Sequence, residues 1–146
     1  MKKVIFIFLV FLFSWGCEKF PEDKFVSLRT ARQRIYGKWN FSSLTIDGAD
    51  KTEEFRQNSI YGCQLEFVHD RSGQYNMAYS NCKNGEGNGP VEWYLLDQKI
   101  SMTGTLIDTN LQTMSCHILR LQGKKFKFKT NHPQNGKEYI FLYEKQ

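Results

Sequence analysis

The sequence predicts an all-β fold, an eight-stranded antiparallel up-and-down barrel preceded by a short N-terminal helix. Beyond Gly37 the apolar residues recur with a period of two, as in strands that bury one face. The apolar runs are short, and clusters of Gly, Asn, Asp and Ser, which favour turns, separate them. Because the 146 residues suffice for one domain, we expect a single meander that closes on itself.

The first predicted element is a helix over residues 25–36. Its apolar side chains recur at helical spacing, at Phe25, Leu28, Ala31 and Ile35, which indicates an amphipathic helix of about three turns. The alternating pattern then predicts strands over residues 37–46, 62–69, 73–80, 90–96, 98–104, 112–121, 124–131 and 137–145.

Most connections between the predicted strands are short. Residues 70–73, 97–98, 122–123 and 135–136 contain Gly, Asn or Asp, which tolerate positive φ in tight turns. Two connections are longer. Residues 47–61 are expected to fold over one opening of the barrel, and the Gly- and Asn-rich residues 81–89 are expected to form a flexible loop.

Residues 1–16 have the layout of an export signal. Two lysines form a positive n-region, Val4–Phe13 is an unbroken apolar run, and Cys17 follows at the expected cleavage point. The run is too short for a membrane span, which needs about 20 residues. Cleavage after Gly16 and lipidation of Cys17, palmitate included, would produce an anchored bacterial lipoprotein. The alternative is an ordinary cleavage site that leaves Cys17 unmodified in a soluble secreted product.

The lipoprotein interpretation divides the chain into a signal peptide (1–16), a tether (17–24) and a barrel domain (25–146). The tether is polar and contains a proline, as suits a short link between lipid and barrel. We expect an outer-membrane location, on the periplasmic or the cell-surface face, with the N-terminal lipid as the membrane contact. The formal net charge of +5 is no signature of nucleic-acid binding, so no nucleic-acid partner is expected.

The cysteine count bears on the disulfides expected in an oxidising compartment. With Cys17 acylated, Cys63, Cys82 and Cys116 remain, which is an odd number. Cys63 and Cys82 flank the hairpin predicted to turn near residues 70–73. We therefore predict a disulfide between them, with Cys116 buried and free. Simple alternation places the paired cysteines on opposite faces, so the bond requires a bulge or an irregular strand end.

Gly37-Lys38-Trp39 opens the first predicted strand, directly after the helix. In that position it resembles the Gly-x-Trp signature of the lipocalins. With the export signal, the cysteine-flanked hairpin and Trp93 at the start of the next hairpin, residues 25–146 resemble the lipocalin-like lipoproteins of Gram-negative bacteria. The resemblance implies that Trp39 packs across the closed end of the barrel, against a cation near the end of the last strand. In this chain the cation is Lys145.

The resemblance also implies capture of a small apolar molecule inside the barrel. The residues predicted to line such a pocket are Tyr75, Met77, Tyr79, Trp93, Phe126 and Phe128. The other large residues predicted to face inward are Leu65, Phe67, Leu95, Ile100, Met102, Ile118 and Phe141. An eight-stranded barrel is just wide enough either to be filled by its own side chains or to hold one small ligand, and the sequence leaves both possibilities open.

No residue pattern predicts an enzyme, a metal site or a cofactor. Cys116 and His117 are neighbours on a predicted strand and point to opposite faces, so they cannot share a proton. The histidines show no paired ligand spacing, and the acidic residues 47–54 lack the alternating oxygen ligands of a calcium loop. The glycine-rich residues 84–89 lead through Pro90 into a strand instead of a helix that could hold a phosphate.

The sequence therefore predicts a membrane-anchored, non-enzymatic lipoprotein that binds a small apolar ligand in a lipocalin-like barrel. The alternative is a protein-interaction module with a side-chain-filled barrel, such as a hydrolase inhibitor or an accessory subunit of a surface complex. In that alternative the loops 47–61 and 81–90 carry recognition, with Phe55 and Ile60 as exposed anchors.

Overall fold

A computed structural model describes residues 20–24, 27–57, 63–69, 77–81, 88–104, 113–132 and 135–146. Eight antiparallel strands form a closed up-and-down barrel, which confirms the predicted fold class. The strands are β1 (Gly37–Ile46), β2 (Ala49–Asp50), β3 (Gln64–Val68), β4 (Met77–Asn81), β5 (Gly89–Leu96), β6 (Lys99–Gly104), β7 (Thr113–Gln122), β8 (Lys125–Asn131) and β9 (Glu138–Lys145). The two-residue β2 is a ninth strand that pairs only with the end of β1 and is not counted in the barrel, and β1 pairs with β9 to close the barrel.

A short helix, α1 (Ala31–Ile35), precedes β1 and packs at one end of the barrel. Thr30 caps it through a capping box that satisfies amides of the first turn. Its first and last residues are fully buried in the core. The helix is shorter than the predicted residues 25–36, because it begins only after the Thr30 cap, and Leu28 is 84% exposed. We refer to this end of the barrel as the α1 end.

The connection after β1 contains a second helix, α2 (Thr52–Gln57), where the sequence predicts only a loop. The Asp50 carboxylate accepts hydrogen bonds from the amide and hydroxyl of Thr52, which lower the pKa of Asp50. Phe55 packs edge-on against Tyr139, with ring centroids 6.5 Å apart. Phe55 is thus half-buried, and the prediction of an exposed anchor is wrong. Ile60 lies outside the described residues.

Helix α2 lies at the opposite end of the barrel from α1, where β1 ends and β9 begins, and we refer to this as the α2 end. The Leu44 carbonyl accepts from the Lys51 amide at 2.9 Å, and the Leu44 amide donates to the Thr52 hydroxyl at 3.2 Å. These contacts fold the start of the connection back onto β1, and the coverage of one opening by residues 47–61 stays a prediction.

The side chains of β4 have the opposite phase to the prediction. Ala78 and Ser80 face the interior, whereas Tyr79 is 48% exposed. Tyr79 pairs across the sheet with Glu66 of β3 and Pro90 of β5, so neighbour pairing places its side chain on the outer surface. A shift of one residue moves every side chain of a strand to the other face. The predicted inward orientation of Tyr79 is therefore wrong.

Candidate functional site

A row of aromatic side chains in contact with one another lies in the barrel interior. The row runs from Trp39 at the α1 end through Phe126, Phe128 and Phe141 to Tyr139 at the α2 end. Neighbouring ring centroids lie 4.9 to 6.2 Å apart. Each such contact contributes about 0.5–1.5 kcal/mol beyond the burial of apolar area. We name this row the aromatic column, and Phe55 of α2 packs on its last member.

The aromatic column also reaches across the barrel. The ring centroid of Phe67 on β3 lies 6.0 Å from that of Phe126 on β8 and 5.5 Å from that of Trp93 on β5. In the order of the strands, β3 and β5 lie on the side of the barrel that faces β8. These rings therefore bridge the interior near the α1 end, and each is no more than 2% exposed. At this height the barrel is a packed core.

The residues predicted to line a pocket do not converge on one cavity within the described part of the chain. Phe126 and Phe128 belong to the aromatic column. Tyr79 lies on the outer surface, and Met77, on the same face of β4, is half-buried. Tyr75 lies outside the described residues.

Trp93 is the predicted pocket residue that keeps an unused polar group. It is fully buried, and its indole Nε1 has no hydrogen-bond partner among the residues that the structure describes. The rings of Phe67 and Tyr36 meet it edge-on, with centroids 5.5 and 6.1 Å away. A buried donor without an acceptor costs about 1–3 kcal/mol. An acceptor atom that reached this nitrogen would therefore be stabilised.

Trp39 and Lys145 meet at the α1 end, as the sequence predicts. The Trp39 Nε1 donates to the Ile35 carbonyl at 2.6 Å. The Lys145 Nζ lies 5.1 Å from the centroid of the Trp39 ring, within the range of a cation–π contact, and donates to the Arg34 carbonyl at 3.3 Å. Partial burial and the nearby charge of Arg29 lower the pKa of Lys145.

Gly37 permits this close contact. Its φ is +117°, in a region that L side chains rarely adopt, and a Cβ at this position would lie 2.9 Å from the Lys145 Cε. Any larger residue would therefore push the lysine away from Trp39. This explains why a glycine stands two positions before the buried tryptophan.

Residues 20–24, which the sequence places in a tether, pack against the barrel. The Glu22 amide donates to the Leu119 carbonyl at 2.8 Å, and the Leu121 amide donates to the Asp23 carboxylate at 3.0 Å. The pairing of β6 with β7 runs only as far as His117, so β7 beyond that residue would otherwise present an open flank. Residues 22–24 cover this flank.

A buried ion pair fixes this segment to the core. The Arg34 Nη1 lies 2.8 Å from the Asp23 Oδ2, and the two side chains are 8% and 0% exposed. Arg34 also donates to the Leu121 carbonyl at 2.7 Å. Its guanidinium lies 5.1 Å from the ring centroid of Phe20, which is itself buried. The chain is therefore held in place only three residues after Cys17.

A cleft of about 430 Å³ opens between β7 and β8 towards the α2 end. The β7–β8 ladder reaches no further than the pair His117 and Lys129, and beyond it the Thr130 hydroxyl donates to the Ser115 carbonyl at 2.9 Å. Lys129 and Glu138 form an ion pair at 2.9 Å. The lining also includes Thr113, Met114 and Asn131. Sequence reasoning misses this cleft, because periodicity does not reveal where two strands separate.

The cysteines differ in state. Cys116 is buried and free, as predicted, and burial raises the pKa of its thiol well above the usual range, although a hydrogen bond from Thr130 acts in the opposite direction. Cys63 is buried and disulfide-bonded, and its partner lies outside the described residues. The pairing of Cys63 with Cys82 therefore stays a prediction. The lipidation of Cys17 also stays a prediction, because Cys17 lies outside the described residues.

Among the described residues, no group of three or more His, Cys, Asp or Glu side chains is placed to hold a metal ion. The helices in that part of the chain are too short or too polar to cross a membrane. No protein-family model, curated protein or solved structure matches the chain. The geometry of the barrel is therefore the basis on which a function can be proposed.

Proposed function

We propose that this protein is a lipid-anchored, non-enzymatic binding protein of the outer membrane, with a packed barrel that recognises a protein partner at its α2 end. The aromatic column carries the proposal. Its rings lie in contact along the barrel from Trp39 to Tyr139, and Phe67 and Trp93 meet them across the interior, where a barrel of this size would otherwise hold a ligand. Phe55 then covers the last ring. Recognition by such a barrel uses its outer surface.

The anchor is proposed from the sequence, where Cys17 follows a short apolar run and a glycine. Several acyl chains on one residue, at about 0.8 kcal/mol per buried CH₂, would hold the protein durably on a membrane. The lipocalin-like assignment is part of the same proposal. The packing of Trp39 against Lys145 at the α1 end supports it.

The cleft between β7 and β8 supports a polypeptide as the partner. Because the ladder between these strands stops at His117 and Lys129, the flank of residues 113–116 that faces β8 lies outside the ladder. An extended peptide can add to such a flank through backbone hydrogen bonds, while the hydroxyl, amide and charged side chains of the cleft supply specificity.

The test compares two exposed asparagines at the α2 end. Asn131 lines the cleft, whereas Asn81 ends β4 on another part of the barrel wall. Asn131→Arg should reduce recovery of the protein partner from membrane extracts roughly tenfold, equivalent to about 1.4 kcal/mol, and Asn81→Arg should leave it unchanged. Equal recovery with both variants would show that the cleft is not the interface.

A second candidate function is carriage of a small apolar molecule that bears a hydrogen-bond acceptor. The unpaired Nε1 of the buried Trp93 favours it. Native mass spectrometry of the mature protein, isolated gently from its own cells, would then show a reproducible adduct. Trp93→Phe should abolish the adduct, while Tyr94→Phe, which changes an exposed ring on the same strand, should retain it. A clean apo mass would exclude this candidate.

A further inference from the structure

We propose that the α1 end of the barrel docks on an anionic membrane surface, with Leu28 in the headgroup region and the α2 end directed away from the bilayer. The proposal deepens the proposed function and depends on it for the lipid at Cys17. The residues that form the docking surface are described by the structure, and their positions do not depend on lipidation of Cys17.

The short chain between the lipid and the barrel supports docking through the α1 end. Phe20 is 1% exposed and lies beneath the Arg34 guanidinium, so the fold holds it firmly. It follows Cys17 by three residues, and a fully extended chain spans at most about 3.6 Å per residue. The lipid attachment point therefore stays within roughly 11 Å of a residue packed at the α1 end. So short a link holds this part of the barrel close to the bilayer.

Positive charge at the α1 end also supports docking on an anionic membrane. Five exposed cations at the α1 end have no carboxylate within ion-pair distance in the described part of the chain, namely Lys24, Arg29, Arg32, Lys99 and Lys124. Among the described residues near this end, Glu22, Glu66 and Glu144 are already paired with lysines, and the exposed Asp97 and Glu92 are the carboxylates without an ion pair. Near an anionic membrane each such cation strengthens the attraction about fivefold.

The positions of two exposed leucines also support docking through the α1 end. Leu28, directly before α1, is 84% exposed, and Leu96, directly before the β5–β6 turn, is 73% exposed. A single exposed leucine is ordinary on a protein surface. Here both leucines lie at the end that carries the unpaired cations and the anchored segment. Apolar side chains among cations are typical of surfaces that bind the membrane interface.

The opposite end has a different character. At the α2 end Asp47, Asp50, Glu53 and Glu54 are exposed, and the cations described there, Lys51, Arg56 and Lys137, neutralise only part of that charge. An anionic bilayer would repel this surface and attract the α1 end. The same orientation leaves the cleft between β7 and β8 accessible to a partner.

The experiment places a fluorescent label at either end of the barrel in the full mature protein. Lys124→Cys puts the label in the β7–β8 turn at the α1 end, and Lys137→Cys puts it before β9 at the α2 end. Cys116 is buried and should not react. On vesicles of phosphatidylcholine and phosphatidylglycerol that contain a brominated lipid, the label at 124 should be quenched and the label at 137 should not. Vesicles of phosphatidylcholine alone should quench the label at 124 much less.

A charge reversal supplies the matched control for electrostatics. Arg29→Glu should weaken binding to the phosphatidylglycerol vesicles at least fivefold, and Lys137→Glu should leave it unchanged. Equal effects of the two variants would contradict a specific docking face. Binding to heparin, without quenching of the label at 124 on vesicles, would also contradict it. The cations would then bind an anionic polysaccharide instead of a membrane.

Intact mass spectrometry of the same preparations separates this inference from the proposed anchor. An acylated protein with neither label quenched would overturn the docking surface and leave the anchor standing. If Cys17 is unmodified, it would also take the label, so the experiment is repeated in Cys17→Ser; quenching at 124 in that protein would remove the anchor and retain the docking surface. An unmodified protein with no quenching would contradict both.

Discussion

At the scale of single residues, Gly37 controls the contact that closes the α1 end. Gly37→Ala should lower the free energy of unfolding by roughly 1–3 kcal/mol, because φ is +117° and the new Cβ would meet the Lys145 Cε. Gly123→Ala is the control, since its φ is also positive, at +62°, but nothing lies within 4 Å of its Cβ position. Urea denaturation measures both. Equal losses would show that displacement of Lys145 costs nothing.

The buried thiol of Cys116 predicts a loss of stability at alkaline pH. Burial raises the pKa of Cys116 and of Tyr143 above their ordinary values of about 8.5 and 10. The folded state therefore keeps protons that the unfolded state releases, so this contribution is complete below pH about 8.5 and falls as the pH rises.

Cys116→Ala tests this dependence. Between pH about 9 and 10 the free energy of unfolding should fall with pH in both proteins. The slope for the variant should be smaller than that for the parent protein by about 1.4 kcal/mol per pH unit. Urea titrations at a series of pH values give the slopes. Tyr94→Phe removes an exposed phenol and should leave the slope unchanged. If the free energies of unfolding of Cys116→Ala and of the parent protein changed with pH in parallel, the pKa of this thiol would be the same in the folded and unfolded states.

At the scale of elements, residues 20–24 behave as part of the barrel. Asp23→Ala should cost about 3–5 kcal/mol, since it removes the buried carboxylate that the Arg34 guanidinium and the Leu121 amide both contact. Glu22→Ala removes the exposed pair with Lys127 and should cost no more than about 1 kcal/mol. Urea denaturation compares the two. Similar small losses would indicate that the segment adds little to the fold.

Helix α2 changes how a loop substitution is interpreted. Because Phe55 packs on Tyr139, its removal disturbs the cover of the aromatic column as well as any contact with a partner. The exposed Asn131 avoids this ambiguity, since it lines the cleft at the end of β8 without contributing to the apolar core.

At the scale of the whole molecule, the packed interior predicts an engineered binding site. Phe128→Ala should destabilise the protein by about 3–5 kcal/mol and leave a dry apolar cavity in the aromatic column that accepts benzene. Benzene should therefore raise the melting temperature of the variant and not of the parent protein. Tyr94→Ala, on the outer surface, should respond like the parent. Stabilisation of the parent by benzene would show that a pocket already exists.

The barrel strands could be predicted because their signals are local. The predicted strand 37–46 coincides with β1, and the predicted strand 124–131 differs from β8 by one residue. Alternation and turn chemistry depend on residues that are neighbours in the chain. The contact of Trp39 with Lys145 is implied by the resemblance to lipocalins, and the structure brings it about by pairing the start of β1 with the end of β9.

The interior and the surfaces depend on contacts between distant parts of the chain. Pairing with β3 and β5 set the phase of β4, which turned Tyr79 outward. An open flank of β7 drew in residues 22–24, and the separation of β7 from β8 opened the cleft. Local periodicity indicates which faces are apolar, but it contains no information about which distant strand, helix or segment will cover them. Only the tertiary structure decides that, because strand pairing and burial act between residues far apart in sequence.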